Sequence, residues 1–180
     1  MKTTVLLSVS SVVLGLLTVA PALADANADM ITSAMSAAPA AVSADATIYG
    51  MGADGKLMTL REGKNGWWCL PGDPSLPKPD PMCGDANAMA WAQAWMGHTD
   101  PPKGEVGFIY MLAGGSGASN TDPYLAKPAD GKWMNAGPHV MVMNATAMMA
   151  GYKGGPSPDE TKPYIMWEGT PYAHLMIPVQ

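Results

Sequence analysis

Two cysteines limit how this chain can fold, because they are the only two and a proline-rich stretch separates them. Cys69 and Cys83 lie in the segment GWWCLPGDPSLPKPDPMCG. In an oxidising compartment such a pair is typical of a disulfide. A redox or metal-binding pair is the alternative, although the spacing differs from that of a C-x-x-C motif. We therefore predict a Cys69–Cys83 disulfide that closes the loop between them.

The N-terminus predicts a compartment of that kind. Residues 1–24 have the layout of a secretory signal, with Lys2, the apolar run VLLSVSSVVLGLLTVA and a small-x-small site that ends at Ala24. The apolar run is slightly too short to span a bilayer, and PALA follows it directly, which favours cleavage over anchoring. We expect a bacterial protein that is periplasmic or secreted, with no stable membrane span after cleavage.

The remaining residues, 25–180, are enough for one domain with a substantial core. The whole chain carries 15 acidic and 10 basic residues, which gives a formal net charge of −5. Arg61 is the only arginine, and no basic cluster occurs. Nucleic acid and anionic membranes are therefore poor candidates as partners.

The pattern of elements indicates an α+β domain over 46–180, preceded by a flexible or short-helical lead-in over 25–45. The clearest helix covers about residues 86–96, with Asp85 at the N-cap and an apolar stripe that includes Trp91 and Trp95. Short apolar segments separated by Gly, Asn and Pro predict the strands, several of them in hairpins. The predicted fold is a mostly antiparallel sheet with this main helix packed on it, one disulfide and long loops.

One of the predicted loops stands out by its length. Residues 114–132 read GGSGASNTDPYLAKPADGK and are rich in Gly, Asn, Asp and Pro. A loop this long within a compact domain is either functional or disordered.

Two of the three histidines occur in the same pattern, His-x-Met. One segment reads HVMVM from His139, and the other reads HLM from His174. Since side chains alternate between the two faces of a strand, His139, Met141 and Met143 share a face, and so do His174 and Met176. If the two strands are neighbours with those faces aligned, imidazoles and thioethers can converge.

Imidazole and thioether together are the ligand set that selects copper(I), so copper is the candidate cofactor or cargo. Zinc fits less well, because its structural sites favour thiolates and its catalytic sites combine His with carboxylate. The alternative is that these are half-buried histidines with satisfied hydrogen bonds, in a chain whose 16 methionines fill its core. We therefore predict an exported binding protein of unknown ligand, with copper as the specific hypothesis.

A small secreted serine hydrolase is the enzymatic alternative. Residues 114–118 read GGSGA, close to the G-x-S-x-G nucleophile elbow, with Ser116 at the centre. Asp122 and His174 follow in the order that such a triad requires. The elbow should lead directly into a helix, whereas a turn-forming SNTDP sequence follows here. A third alternative is a non-catalytic envelope protein whose long loops contact another protein or a glycan.

Two resemblances follow from these strings. The segment 137–143, GPHVMVM, resembles the G-x-H-x-M-x-M element of periplasmic copper chaperones with a cupredoxin-like fold, although the upstream His-Met pair of that family is missing. Nearly the whole chain after residue 24 resembles an uncharacterised family of secreted bacterial proteins, through GWWCLP, DPMCGD, SNTDPY, GPHVM and GTPYAHLMIPV. That resemblance implies a single exported domain with the cysteine pair, and it implies no activity.

Overall fold

The computed structural model describes residues 20–52 and 54–179. Three α-helices and a 3₁₀ turn lie in this part of the chain: α1 Ala20–Met35, α2 Ala40–Ser43, α3 Ala86–Met96 and the turn Thr146–Met148. The strands are β1 Thr47–Met51, β2 Leu57–Arg61, β3 Trp68–Leu70, β4 Met82–Gly84, β5 Gly107–Met111, β6 Gly115–Gly117, β7 Met134–Ala136, β8 His139–Met143, β9 Tyr164–Met166 and β10 His174–Pro178.

Eight of these strands form one mixed sheet in the order β2-β1-β3-β4-β5-β8-β10-β9. Neighbouring strands are antiparallel except β1 and β3, which run parallel. β6 and β7 form a separate antiparallel pair, so the long loop 114–132 begins with a short strand. The predicted α+β class with a mostly antiparallel sheet is therefore confirmed.

Helix α3 begins and ends as the sequence predicts, and it packs on one face of the sheet. The Asp85 side chain accepts a hydrogen bond from the backbone N of Ala88, which caps the helix. Gly107 on β5 lets the helix approach closely, because a Cβ there would lie 2.5 Å from the Ala88 backbone N. The core on this side of the sheet is made by aromatic and methionine side chains: Trp68, Ala88, Trp91, Ile109, Met111, Met141, Met143, Tyr164, Tyr172 and Met176.

Helix α1 covers the opposite face, over β1, β3 and β4. Its Ala34 is fully buried, and small residues there allow close packing against Ile48 and the two cysteines. Residues 25–45 are therefore helical over most of their length and contribute to the core. The helix of 16 residues is longer than the sequence indicates, because alanine and serine give it little apolar periodicity.

The predicted disulfide is confirmed. Cys69 and Cys83 are bonded to each other and lie directly opposite on β3 and β4. The strand β4 was not predicted, since the short segment MCG is embedded in a run of prolines and turn residues. Its pairing with β3 places both sulfurs in the core under α1.

The predicted signal segment, 1–24, lies largely outside the described residues, and only the backbone of 20–24 is described, as part of α1. Within the described part of the chain, no helix combines the length and the apolar character needed to cross a bilayer.

Candidate metal centre

The two His-x-Met strands are neighbours. β8 and β10 are paired antiparallel, with Met141 opposite Met176 and Val142 opposite Leu175. The side chains of alternating residues therefore point the same way on both strands. The condition on which the sequence hypothesis depends, adjacency with aligned faces, is met.

The strands on either side extend this arrangement. On β5, Met111 lies opposite His139, and on β9, Met166 lies opposite His174. Together these residues line one side of the sheet, which we call the His/Met face: Met111, His139, Met141, Met143, Met166, His174 and Met176.

The His/Met face belongs to the core beneath α3. His139 is 4% exposed and His174 is 1% exposed. The rings of Trp91 and Trp167 meet the His174 ring edge to face, with centroids 5.3 and 5.1 Å away. These imidazoles are therefore shielded from water, which strengthens any electrostatic or coordinate interaction that they make.

Both histidines are held by the same local hydrogen bond. Nδ1 of His139 lies 2.7 Å from the carbonyl oxygen of Gly137, and Nδ1 of His174 lies 2.9 Å from that of Tyr172. A carbonyl oxygen can only accept, so in both rings Nδ1 carries the hydrogen and donates it. Nε2 of each neutral ring is then an acceptor with a free lone pair.

Both of these Nε2 atoms are buried without a hydrogen-bond partner among the described residues. Leaving a buried polar atom unpaired costs about 1–3 kcal/mol. Histidines that ligate metals commonly donate their other ring N–H to a carbonyl or carboxylate, which fixes the ring and its tautomer. The two imidazoles have this arrangement, and methionines occupy the paired positions next to them on the neighbouring strands.

Burial lowers the pKa of His139, and it lowers the pKa of His174 to about 4. The hydrogen bond to Tyr172 opposes the shift at His174, while the charge of His139 adds to it. Both imidazoles are therefore neutral near pH 7, the form in which Nε2 can act as a ligand.

These shifts predict acid sensitivity of the metal-free protein. The unfolded chain takes up a proton on His174 near its ordinary pKa of 6.5, whereas the folded chain does so only near 4. The free energy of unfolding should therefore fall as the pH is lowered from 6.5 to 4, by about 3 kcal/mol from this residue. Urea unfolding at a series of pH values measures the slope of the free energy of unfolding against pH. A His174→Leu variant should lose much of it, and an unchanged slope in that variant would contradict the assignment.

The register also separates the two histidines. His139 lies opposite Pro178, which is four positions beyond His174 on the same strand. At the usual rise per residue and strand spacing, their Cα atoms are about 14 Å apart. Each imidazole therefore has its own neighbouring methionines, and Met141 and Met176 lie between the two.

The structure does not bring together the residues of the hydrolase alternative. Ser116 Oγ accepts from the backbone N of Lys78 and donates to Asn135 Oδ1. Asp122 lies on an exposed turn, where its side chain accepts from the backbone N of Tyr124. Among the hydrogen bonds of the described residues, none joins Ser116 to a histidine, and Ser116 lies in strand β6 rather than at the start of a helix.

The described residues hold no cluster of the usual hard or borderline metal ligands. Within 20–52 and 54–179, no group of three or more His, Cys, Asp or Glu side chains is placed to hold a metal ion.

Sequence reasoning identified five residues of the His/Met face and missed Met111 and Met166. Both end short apolar strands, FIYM and YIM, in which alternate residues face the same way. Their positions beside the histidines depend on strand order, which the alternation within each strand does not give.

No family model matches the chain, and no curated protein and no solved structure matches it.

Proposed function

We propose that this chain is an exported copper-binding protein that takes up copper(I) on its His/Met face. The observation that carries the proposal is the pair of buried Nε2 lone pairs, both without a partner, on a face lined by methionines. Each unpaired Nε2 is destabilising, and a bound ion would give it a partner.

The chemistry of the ligand set favours copper(I) in particular. Thioethers are soft and uncharged, and they bind soft monovalent copper better than they bind hard divalent ions. The imidazoles need no deprotonation, because burial already keeps them neutral. The enclosing aromatic rings exclude water, which limits the hydrolysis and oxidation of a bound ion.

The proposal is tested by anaerobic titration of the purified chain with copper(I) against a competing chelator. The double variant His139→Ala/His174→Ala is expected to lose at least 100-fold in affinity, because even removal of a residue that only orients a metal ligand commonly costs about 10–100-fold. The variant His98→Ala is the matched control, because the third histidine is exposed and stacks on Tyr124. Binding that survives the double variant unchanged would contradict the proposal.

A second pair of substitutions removes the risk that the double variant fails to fold. Met and Leu have similar volumes, so Met141→Leu with Met176→Leu should retain the fold. These changes delete two thioethers from the centre of the face and leave both histidines in place. We expect weaker copper(I) binding with a circular dichroism spectrum like that of the unaltered chain.

A further inference from the structure

We infer that the His/Met face holds two separate copper(I) ions, one at each histidine. The inference deepens the proposed function and rests on it. It follows from the pairing register of four strands, which gives each histidine its own pair of methionines.

The first site is centred on His139. Met111 lies directly opposite it on β5, and Met141 is two positions further along β8. Cβ atoms of directly opposed residues are about 5 Å apart, within reach of a flexible methionine side chain. His139, Met111 and Met141 form what we call the outer site.

The second site is centred on His174. Met166 lies directly opposite it on β9. On β8, the strand on the other side of β10, Val142 pairs with Leu175. One step further along this antiparallel pair, His174 lies opposite Met143. His174, Met143 and Met166 form the inner site. It is enclosed by Trp91 and Trp167, and His174 and Met143 are almost completely buried.

A single ion cannot take both imidazoles while the strands keep this register. Metal–nitrogen bonds are about 2 Å long, so two nitrogens on one ion lie no more than about 4 Å apart. The Cα atoms of His139 and His174 are about 14 Å apart, and side chains stand roughly perpendicular to a sheet. Met176 lies between the two sites, beside Met141.

The two bound charges would repel each other. Thioethers and neutral imidazoles leave each copper(I) with its full unit charge. At about 14 Å and an effective dielectric constant of about 20, this repulsion makes the second ion bind roughly five- to tenfold more weakly than the first. The sites should therefore fill in two resolvable steps.

The experiment is an anaerobic copper(I) titration of the purified full chain, followed by chelator competition and by the ¹⁵N signals of the histidine side chains. We expect two equivalents, with dissociation constants roughly five- to tenfold apart and the Nε2 signals of the two histidines shifting in different steps. Met111→Leu should weaken only the step that shifts His139, and Met166→Leu only the step that shifts His174. Met96→Leu is the matched control, because Met96 is 52% exposed.

The outcomes separate this inference from the proposed function. One equivalent that shifts both histidines together, and that either methionine variant weakens, would overturn the two-ion arrangement and leave copper binding intact. If the chain takes no copper(I) from the chelator even at low chelator concentration, both the two-ion arrangement and the proposed function are overturned. Two equivalents that depend on the two methionines separately would support both.

Discussion

Replacing Trp91 with alanine is expected to lower the free energy of unfolding by about 3–5 kcal/mol. Trp91 is 3% exposed and lies at the centre of the core beneath α3. Its ring stacks against Trp95 and Trp167, and it meets Tyr172 edge to face. Alanine would remove these contacts and leave a cavity that rigid aromatic neighbours cannot fill.

Urea unfolding followed by circular dichroism measures this loss. Met96→Ala is the control, because Met96 lies on the same helix and is mostly exposed. We expect the control to change stability by less than about 0.5 kcal/mol. Similar losses in the two variants would show that Trp91 does not have the central packing role that its contacts indicate.

Removing the disulfide is the second large effect. The Cys69–Cys83 bond closes a loop with a sequence separation of 14 residues. The chain-entropy model gives a stabilisation of about 3 kcal/mol for a loop of that size. Since both sulfurs are buried under α1, the paired change Cys69→Ala/Cys83→Ala should also loosen the contact between that helix and the sheet.

Unfolding of the oxidised chain is compared with that of the paired alanine variant. The oxidised chain should also lose stability when a reductant is added, whereas the variant should not respond. If reductant leaves the oxidised chain unchanged, the bond contributes nothing to stability in solution. Hydrogen exchange in α1 provides a separate reading, with faster exchange expected in the variant.

Much of the fold could be predicted from local patterns. Helix α3 has an N-cap, a periodic apolar stripe and a terminal glycine, so its limits follow from the sequence. The hairpins likewise have turn residues between alternating segments. Helix α1 has no such periodicity, and β4 is only three residues long. The helix depends on packing against the sheet, and β4 depends on its pairing with β3 and β5.

The candidate site was likewise predictable only in part. Alternation within each strand predicted that His139 and Met141 share a face, and that His174 and Met176 share another. Whether those faces meet depends on pairing between segments more than 30 positions apart, which no local pattern contains. The separation of the two histidines along the strands is also a matter of register, because a shift in pairing of four positions would place them side by side.

The position of β10 in the sheet has a consequence for assembly. β10 lies between β8 and β9, although both precede it in the chain. β9 pairs with β10, and β10 pairs with β8, so β10 is the strand that joins β9 to the rest of the sheet. A chain shortened before β10 would lack His174 and Met176, and Met166 would lose the strand that positions it. Nearly half of the His/Met face therefore depends on the last strand of the described sheet.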